Sequence, residues 1–169
     1  MLRAQRRPEE ATAEYEIALA FDRNWVGALG ALAWCKFYSG SIEEVIPILE
    51  RAIRLSPRDP QLGVWYHRIA TVHLLQSRTD EAIVWLEKAR STDPGLFFIH
   101  AGLASAYALK GETTRAAAEL AEARKLRGEG SFSSIARMRA TAFWGVPSVR
   151  ALNEATYFAG LRKAGVPEE

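Results

Sequence analysis

Residues 80–89 read DEAIVWLEKA and are followed by Asp93-Pro94-Gly95. Ala82, Leu86 and Ala89 recur at spacings of four and three, which places them on one face of an α-helix. The two alanines permit close approach of a neighbouring helix, and the leucine fills the space between them. The proline disfavours helical geometry at the residue before it, so the helix is expected to end there. This stretch predicts a helix that packs through a narrow seam of small residues.

The same spacing occurs at three other places in the chain. Successive sets are 34 residues apart, except that 37 residues separate the second from the third. The longer interval is consistent with three extra residues in one loop, around residues 60–62. A fixed period of this length is typical of a solenoid of stacked units. The four sets are Ala11, Tyr15, Ala18 and Arg23; Val45, Leu49, Ala52 and Pro57; Ala82, Leu86, Ala89 and Pro94; and Ala116, Leu120, Ala123 and Gly128.

A turn precedes each of the last three sets, and an apolar-rich segment precedes each turn. The turns contain SGS at 39–41, QSRTD at 76–80 and KGET at 110–113. Their glycines suit the left-handed residue that ends a helix. The repeating unit is therefore a helix, a turn and a second helix. The corresponding positions in the first helices are Leu29, Leu32 and Ala33; Tyr66, Ile69 and Ala70; and His100, Leu103 and Ala104.

The period and the pattern resemble the tetratricopeptide repeat family over about three quarters of the chain. The resemblance is specific in the second helices and looser in the first ones. It implies an all-α, right-handed superhelical solenoid of antiparallel helix pairs with a C-terminal capping helix. The implied single domain, 1–169, comprises a partial repeat at 1–25, repeats at 26–59, 60–96 and 97–128, and a non-repeat tail at 129–169.

Beyond Gly130 the period ends, and cap signals predict two further helices. Hydroxyls at 131–134 precede a short helical segment, 135–140, and Gly145-Val146-Pro147-Ser148 introduces a longer helix that reaches Ala164. We expect the longer helix to cap the last repeat. The tail also resembles the C-terminal ending of bacterial signalling proteins in which such repeats follow a class III adenylate/guanylate cyclase domain or a winged-helix DNA-binding domain. That resemblance implies the regulatory end of such a protein, or a stand-alone relative.

Counting back from the first set places Met1 in the middle of a first helix. A hairpin cannot bury its apolar face alone, so we expect upstream sequence or a partner surface to cover Tyr15 and Leu19. The N-terminal arginines, Arg3, Arg6 and Arg7, are interpreted as a solvated helix face.

The composition argues against several classes of function. Lys and Arg total 22 and Asp and Glu total 20, so no charge excess favours nucleic acid or an anionic membrane as partner. No apolar run approaches the roughly 20 residues that span a bilayer, and no secretory signal is recognisable, so a cytoplasmic location is expected. Cys35 is the single cysteine, which rules out an intrachain disulfide within the sequence.

Neither the histidines nor the paired carboxylates indicate chemistry. His67 and His73 are six residues apart and so lie on different sides of one helix, while His100 belongs to another repeat. Acidic pairs near the starts of second helices favour the positive end of the helix dipole. The sequence contains no zinc-binding His-Glu motif, nucleophile elbow or phosphate loop. We predict that the protein is not an enzyme and binds no cofactor or metal.

By resemblance to the family, the first helices line a concave groove that holds a protein or peptide. Arg68 alone offers a charge for gripping a carboxylate, so the groove is expected to hold an amphipathic helix or apolar peptide by burial. Two alternatives remain open: the chain's own tail fills the groove, or the chain is a structural homo-oligomer, such as a homodimer, formed through exposed repeat ends or the tail helix. The residues expected to face the groove are Trp34, Phe37, Tyr38, His67, Arg68, Thr71, Leu74, Phe98, Ala101 and Ser105.

Overall fold

Helices alternate with short turns from the first described residue onward. The computed structural model describes residues 8–169, without the side chains of residues 8 and 129, and the described residues contain no strand. The predicted all-α fold of antiparallel helix pairs is confirmed. The half-built first helix and the N-terminal arginines lie outside the described residues. The repeat helices are α1 Pro8–Phe21, α2 Val26–Ser39, α3 Val45–Leu55, α4 Leu62–Leu75, α5 Thr79–Thr92, α6 Phe97–Leu109 and α7 Thr113–Arg127.

The small residues of the repeat lie in the seams between helices. Ala52, Ala82 and Ala89 are completely buried, and Leu86 is nearly so. Gly102 of α6 faces Leu86 so closely that an added β-carbon would lie 2.8 Å from the Leu86 Cδ2 atom. The absence of a side chain at this position therefore sets how closely the last two hairpins approach each other.

The turns follow the predicted chemistry. Gly40 and Gly111 end α2 and α6 with φ of 96° and 80°, in the left-handed region that glycine enters without strain. Ser77 takes the corresponding conformation in the middle unit, with φ of 59°. The connection before α4 has six residues, 56–61, whereas those before α2 and α6 have four each.

The tail consists of a 3₁₀ turn Glu129–Phe132, α8 Ile135–Thr141 and a longer helix. The longer helix, here called the C-terminal helix, runs without interruption over 147–163 and comprises α9 Pro147–Asn153, a π-helical stretch Glu154–Phe158 and α10 Ala159–Lys163. Gly165 follows it with φ of 98°, in the left-handed region that suits a glycine after a helix.

The C-terminal helix crosses the surface formed by α2, α4 and α6, here called the inner face. α9 contacts α2, the π-helical stretch contacts α4 and α6, and α10 contacts α6. The helix therefore spans the first helices of all three hairpins. The predicted cap over the last repeat is confirmed, and it covers that repeat from the inner face.

A second apolar cluster joins the tail to the last hairpin. Burying each of its large side chains contributes roughly 1.5–3 kcal/mol relative to exposure, and this burial favours the docked position of the tail. The cluster comprises Ala101, Ala104, Leu120, Ala123, Phe132, Ile135, Met138, Phe158, Leu161 and Val166.

An ion-pair network fixes the last residues of the tail. Arg139 Nε lies 2.5 Å from Glu154 Oε1, and Arg162 Nε lies 2.7 Å from Glu168 Oε2. Each arginine also contacts the other carboxylate. The pairs lie at a partly exposed surface, where a single ion pair contributes little to stability. The tail is therefore ordered by the network as a whole.

Candidate functional site

A cavity of about 420 Å³ remains between the inner face and the tail; we call it the inner cavity. Repeat helices form one side and the tail closes the other, so no single repeat unit contains the whole site. Its wall on the repeat side includes Trp34, Phe37, Tyr38, His67, Arg68, Thr71, Leu74, Phe97, Phe98 and Arg127, and its wall on the tail side includes Phe132, Arg137, Met138, Phe143, Trp144, Asn153 and Tyr157.

The cavity brings together eight of the ten residues that the sequence placed in the groove: Trp34, Phe37, Tyr38, His67, Arg68, Thr71, Leu74 and Phe98. Ala101 and Ser105 are the other two, and neither lines it. Ala101 is completely buried in the second apolar cluster. Ser105 is also buried, and its hydroxyl donates a hydrogen bond of 2.9 Å to the carbonyl oxygen of Tyr157. The C-terminal helix covers both positions.

Arg68 is the most unusual residue in the cavity. Its side chain is a cation, yet the residue is only 5% exposed. The guanidinium carbon lies 3.5 Å from the ring centroid of Trp34 and 4.2 Å from that of Phe37. Stacking on aromatic faces is a favourable environment for guanidinium, because the negative face of each ring attracts the charge.

Stacking leaves the in-plane N–H donors of Arg68 to be satisfied separately. Its Nε atom is buried and has no hydrogen-bond partner among the described residues. None of the described carboxylates forms an ion pair with Arg68. Burial lowers the pKa of the guanidinium from its usual value, and a hydrogen bond to the neutral hydroxyl of Tyr38 opposes this effect only in part; arginine stays protonated in proteins. Arg68 is thus a buried cation with no anion beside it among the described side chains.

The rest of the cavity adds positive charge. Arg127 and Arg137 line its mouth, where both are exposed, and none of the described side chains that line it is acidic. His67 contributes no charge near neutral pH, because burial and the nearby charge of Arg68 lower its pKa to about 3. The inner cavity is therefore aromatic in its walls and cationic in its electrostatics.

The π-helical stretch of the C-terminal helix positions Tyr157 on the cavity wall. An extra residue in one helical turn shifts the following side chains around the axis, and here Tyr157 lines the cavity while Phe158 enters the second apolar cluster. Within the same turns, Thr156 Oγ1 donates to the Leu152 carbonyl at 2.7 Å. π-helical turns occur frequently at functional sites.

Residues on the tail side of the cavity were not predicted. The repeat frame stops at Gly128, so periodicity says nothing about where later side chains point. The one usable signal was aromatic density, since residues 132–158 contain Phe132, Phe143, Trp144, Tyr157 and Phe158. Such a concentration in a segment outside the repeats indicates a surface that must be buried.

Other candidate centres are structural. His100 Nδ1 lies 2.7 Å from Glu119 Oε2, and its Nε2 lies 2.9 Å from the Pro94 carbonyl oxygen, so the ring joins two helices and a turn. Cys35 is fully buried, and burial raises its pKa. Over residues 8–169 no group of three or more metal-ligating side chains is close enough to hold an ion. Within the same residues, no helix has the length and hydropathy of a membrane span.

Comparison with solved structures supports the architecture. The fold is similar to that in the crystal structure of YrrB, described as a TPR protein with an unusual peptide-binding site, with a TM-score of 0.62 and 16% sequence identity. The match covers 97% of this chain and 76% of that chain. The fold is a tetratricopeptide repeat solenoid. No protein-family model matches the chain, and no curated protein is similar to it in sequence.

Proposed function

We propose that this repeat solenoid is a protein-interaction scaffold and that its inner cavity holds a short segment of a partner polypeptide. The observation that carries the proposal is Arg68, a buried cation whose Nε has no hydrogen-bond partner among the described residues, in an aromatic-walled cavity that is open to solvent at Arg127 and Arg137. Aromatic residues and arginine dominate the energetics of protein-binding surfaces, where they are desolvated in well-packed pockets. The peptide-binding site that YrrB is described as having on the same fold supports this use.

The size of the cavity limits what it holds. An α-helix about 10 Å in diameter occupies roughly 420 Å³ for each turn of 5.4 Å, which is about the volume of the whole cavity. With the tail on the inner face, a long amphipathic helix has no room beside α2, α4 and α6. The proposed occupant is therefore one turn, or two or three side chains of an extended segment.

The proposed setting is the regulatory part of a bacterial signalling protein in the cytoplasm, without catalysis by this chain. The resemblance of the tail to the endings of such proteins, which covers roughly the last forty residues and is strongest over residues 160–169, supports this setting. A tail that shapes the binding cavity also gives those residues a physical role, because the site exists only while the tail is docked on the inner face.

Filling the cavity tests the proposal. Thr71 lines the cavity wall, so Thr71→Trp should occupy the space, and Val84→Trp, at a position 65% exposed on α5, is the matched control. Peptides selected from a displayed random library against the unmodified protein should lose affinity at least tenfold for Thr71→Trp and keep it for Val84→Trp. Equal binding to both variants would place the peptide site elsewhere.

Homo-oligomerisation is the alternative function. Phe21 is 89% exposed and Ile17 and Trp25 are 61% and 53% exposed, so the end of α1 presents apolar surface. The C-terminal helix offers less, because Phe158 and Leu161 are buried within the chain. Under this alternative, sedimentation depends on concentration and Phe21→Glu abolishes that dependence; a concentration-independent monomer excludes it.

A further inference from the structure

We infer that the inner cavity binds a carboxylate carried on an aromatic or branched aliphatic group, and that Arg68 is the partner of that carboxylate. The inference deepens the proposed function, because it names the ligand chemistry of the same cavity. It also alters the expectation drawn from the sequence, in which burial alone held the ligand.

The first step is the state of Arg68 without a ligand. A charged group that is 5% exposed has lost most of its hydration, and burying an unpaired charge is costly. The rings of Trp34 and Phe37 occupy the faces of the guanidinium, but they accept none of its in-plane N–H bonds. A carboxylate supplies what the site lacks, because its two oxygens match the planar fork of arginine and neutralise the charge.

The second step is that no described side chain of the protein provides this anion. The carboxylates at the end of the tail, Glu154 and Glu168, are held by Arg139 and Arg162. None of the acidic side chains in the described part of the protein lines the cavity. We therefore infer that the ligand brings the anion.

The third step concerns the body of the ligand. Trp34, Phe98 and Trp144 provide flat apolar walls, and a cavity of about 420 Å³ falls in the range of roughly 300–1,000 Å³ that is usual for small-ligand sites. Among the described residues that line the cavity, Arg68 is the one buried cation, and Arg127 and Arg137 are exposed at the mouth. A singly charged carboxylate on an apolar group fits this arrangement better than a multiply charged phosphate, which needs several buried donors.

The ligand chemistry has two sources, a free organic acid or an acidic side chain beside an apolar residue in a peptide. Calorimetric titration of the full chain with free acids and with peptides distinguishes these two sources. The free probes are indole-3-acetate and phenylacetate, with indole-3-acetamide and phenylacetamide as their neutral counterparts. The peptide probes are capped pentapeptides with a central Phe-Glu pair and the same peptides with Phe-Gln. We expect each anionic probe to bind at least about tenfold more tightly than its neutral counterpart. The neutral probe lacks the carboxylate charge that would accept hydrogen bonds from Arg68.

Substitutions at position 68 test whether Arg68 causes the preference for anionic probes. Arg68→Gln should abolish the preference for the anion, and Arg68→Lys should keep part of it, because the charge remains and the fork is lost. Arg58→Gln removes the same charge from an exposed loop position and should leave binding unchanged. The comparison of acid with amide on the unmodified protein needs no variant, so the test survives if a substitution at position 68 prevents folding.

The outcomes separate this inference from the proposed function. Equal binding of acid and amide, no binding of any anionic probe, or an anion preference that persists in a folded Arg68→Gln variant would each overturn the inference. Peptides that bind equally with Glu or Gln would support the scaffold and overturn the carboxylate site. Free acids that bind through Arg68 while no peptide binds would support the carboxylate site and count against the scaffold.

Discussion

Gly160 of the C-terminal helix packs directly on Ser105 of α6. A β-carbon added at position 160 would overlap the hydroxyl and the backbone carbonyl of Ser105. The same serine donates its hydroxyl to the carbonyl oxygen of Tyr157, one helical turn earlier. The two helices therefore meet backbone to backbone, and this contact fixes the height of the tail above the inner face.

The contact predicts that Gly160→Ala displaces the tail. Because backbone atoms cannot move aside as a flexible side chain can, the methyl group should lower the free energy of unfolding by about 1–3 kcal/mol. Thermal unfolding followed by circular dichroism measures this loss. Gly130→Ala is the matched control, since nothing lies within 4 Å of an added β-carbon there. Equal melting temperatures for the two variants would contradict the close contact.

Replacement of Arg68 by methionine should stabilise the protein when no ligand is present. The substitution removes an unpaired buried charge and keeps an unbranched side chain against Trp34 and Phe37. The gain should exceed the lost cation–π attraction by about 1 kcal/mol, which corresponds to a rise in melting temperature of about 2–4 °C for a chain of this size. Arg58→Met, at an exposed position, should change little. A lower melting temperature for Arg68→Met would show that the stacked cation is itself a structural element.

The repeat could be predicted from the sequence because its information is local. Ala82, Leu86 and Ala89 define a helix face through spacing alone, and the structure places all three in a buried seam. Turn glycines such as Gly40 likewise carry their conformation in their own chemistry. Eight residues on the repeat side of the cavity were expected there from the resemblance to the repeat family, whereas Phe97 and Arg127 were not.

The tail side of the cavity could not be predicted in this way. Where the C-terminal helix crosses the inner face depends on contacts between residues distant in sequence, such as Gly160 with Ser105, and no period encodes them. For the same reason Ala101 was assigned to the groove although the tail buries it. The π-helical stretch Glu154–Phe158 also has no sequence signal that distinguishes it from ordinary helix.

Acid should weaken the ion pairs that hold the tail. The guanidinium groups of Arg162 and Arg139 lower the pKa of Glu168 to about 2 from a usual value of 4.5, and the pKa of Glu154 is lowered by Arg139 and Arg162. A depressed carboxyl pKa means that the folded state binds its proton less readily than the unfolded state. Its contribution to stability is therefore complete above about pH 4.5 and is lost as the pH falls toward about 2.

The pH dependence of the stability that Glu168 contributes can be measured as the difference in melting temperature between the unmodified protein and Glu168→Gln. The difference should favour the unmodified protein at pH 7 and should vanish as the pH approaches 2. Glu169→Gln removes the neighbouring carboxylate and should show no such trend. A difference that stays constant over this range would mean that the ion pairs of Glu168 do not order the tail.

Alkaline pH tests the contact between the last two hairpins. The buried hydroxyl of Tyr107 donates to Glu87 Oε1 at 2.5 Å, and Arg115 donates to the Tyr107 oxygen. Burial and the adjacent Glu87 carboxylate raise the pKa of Tyr107 well above its usual value of 10. The folded state therefore retains this proton while the unfolded state releases it, so Tyr107 contributes stability below about pH 10 that is lost as the pH rises further.

The substitution Tyr107→Phe should lower the free energy of unfolding by about 1 kcal/mol at pH 7. Above pH 10 the stability of this variant should fall less steeply with pH than that of the unmodified protein, with Tyr15→Phe as the control. An identical alkaline slope for Tyr107→Phe and the unmodified protein would show that this phenol ionises as freely in the folded chain as in the unfolded one.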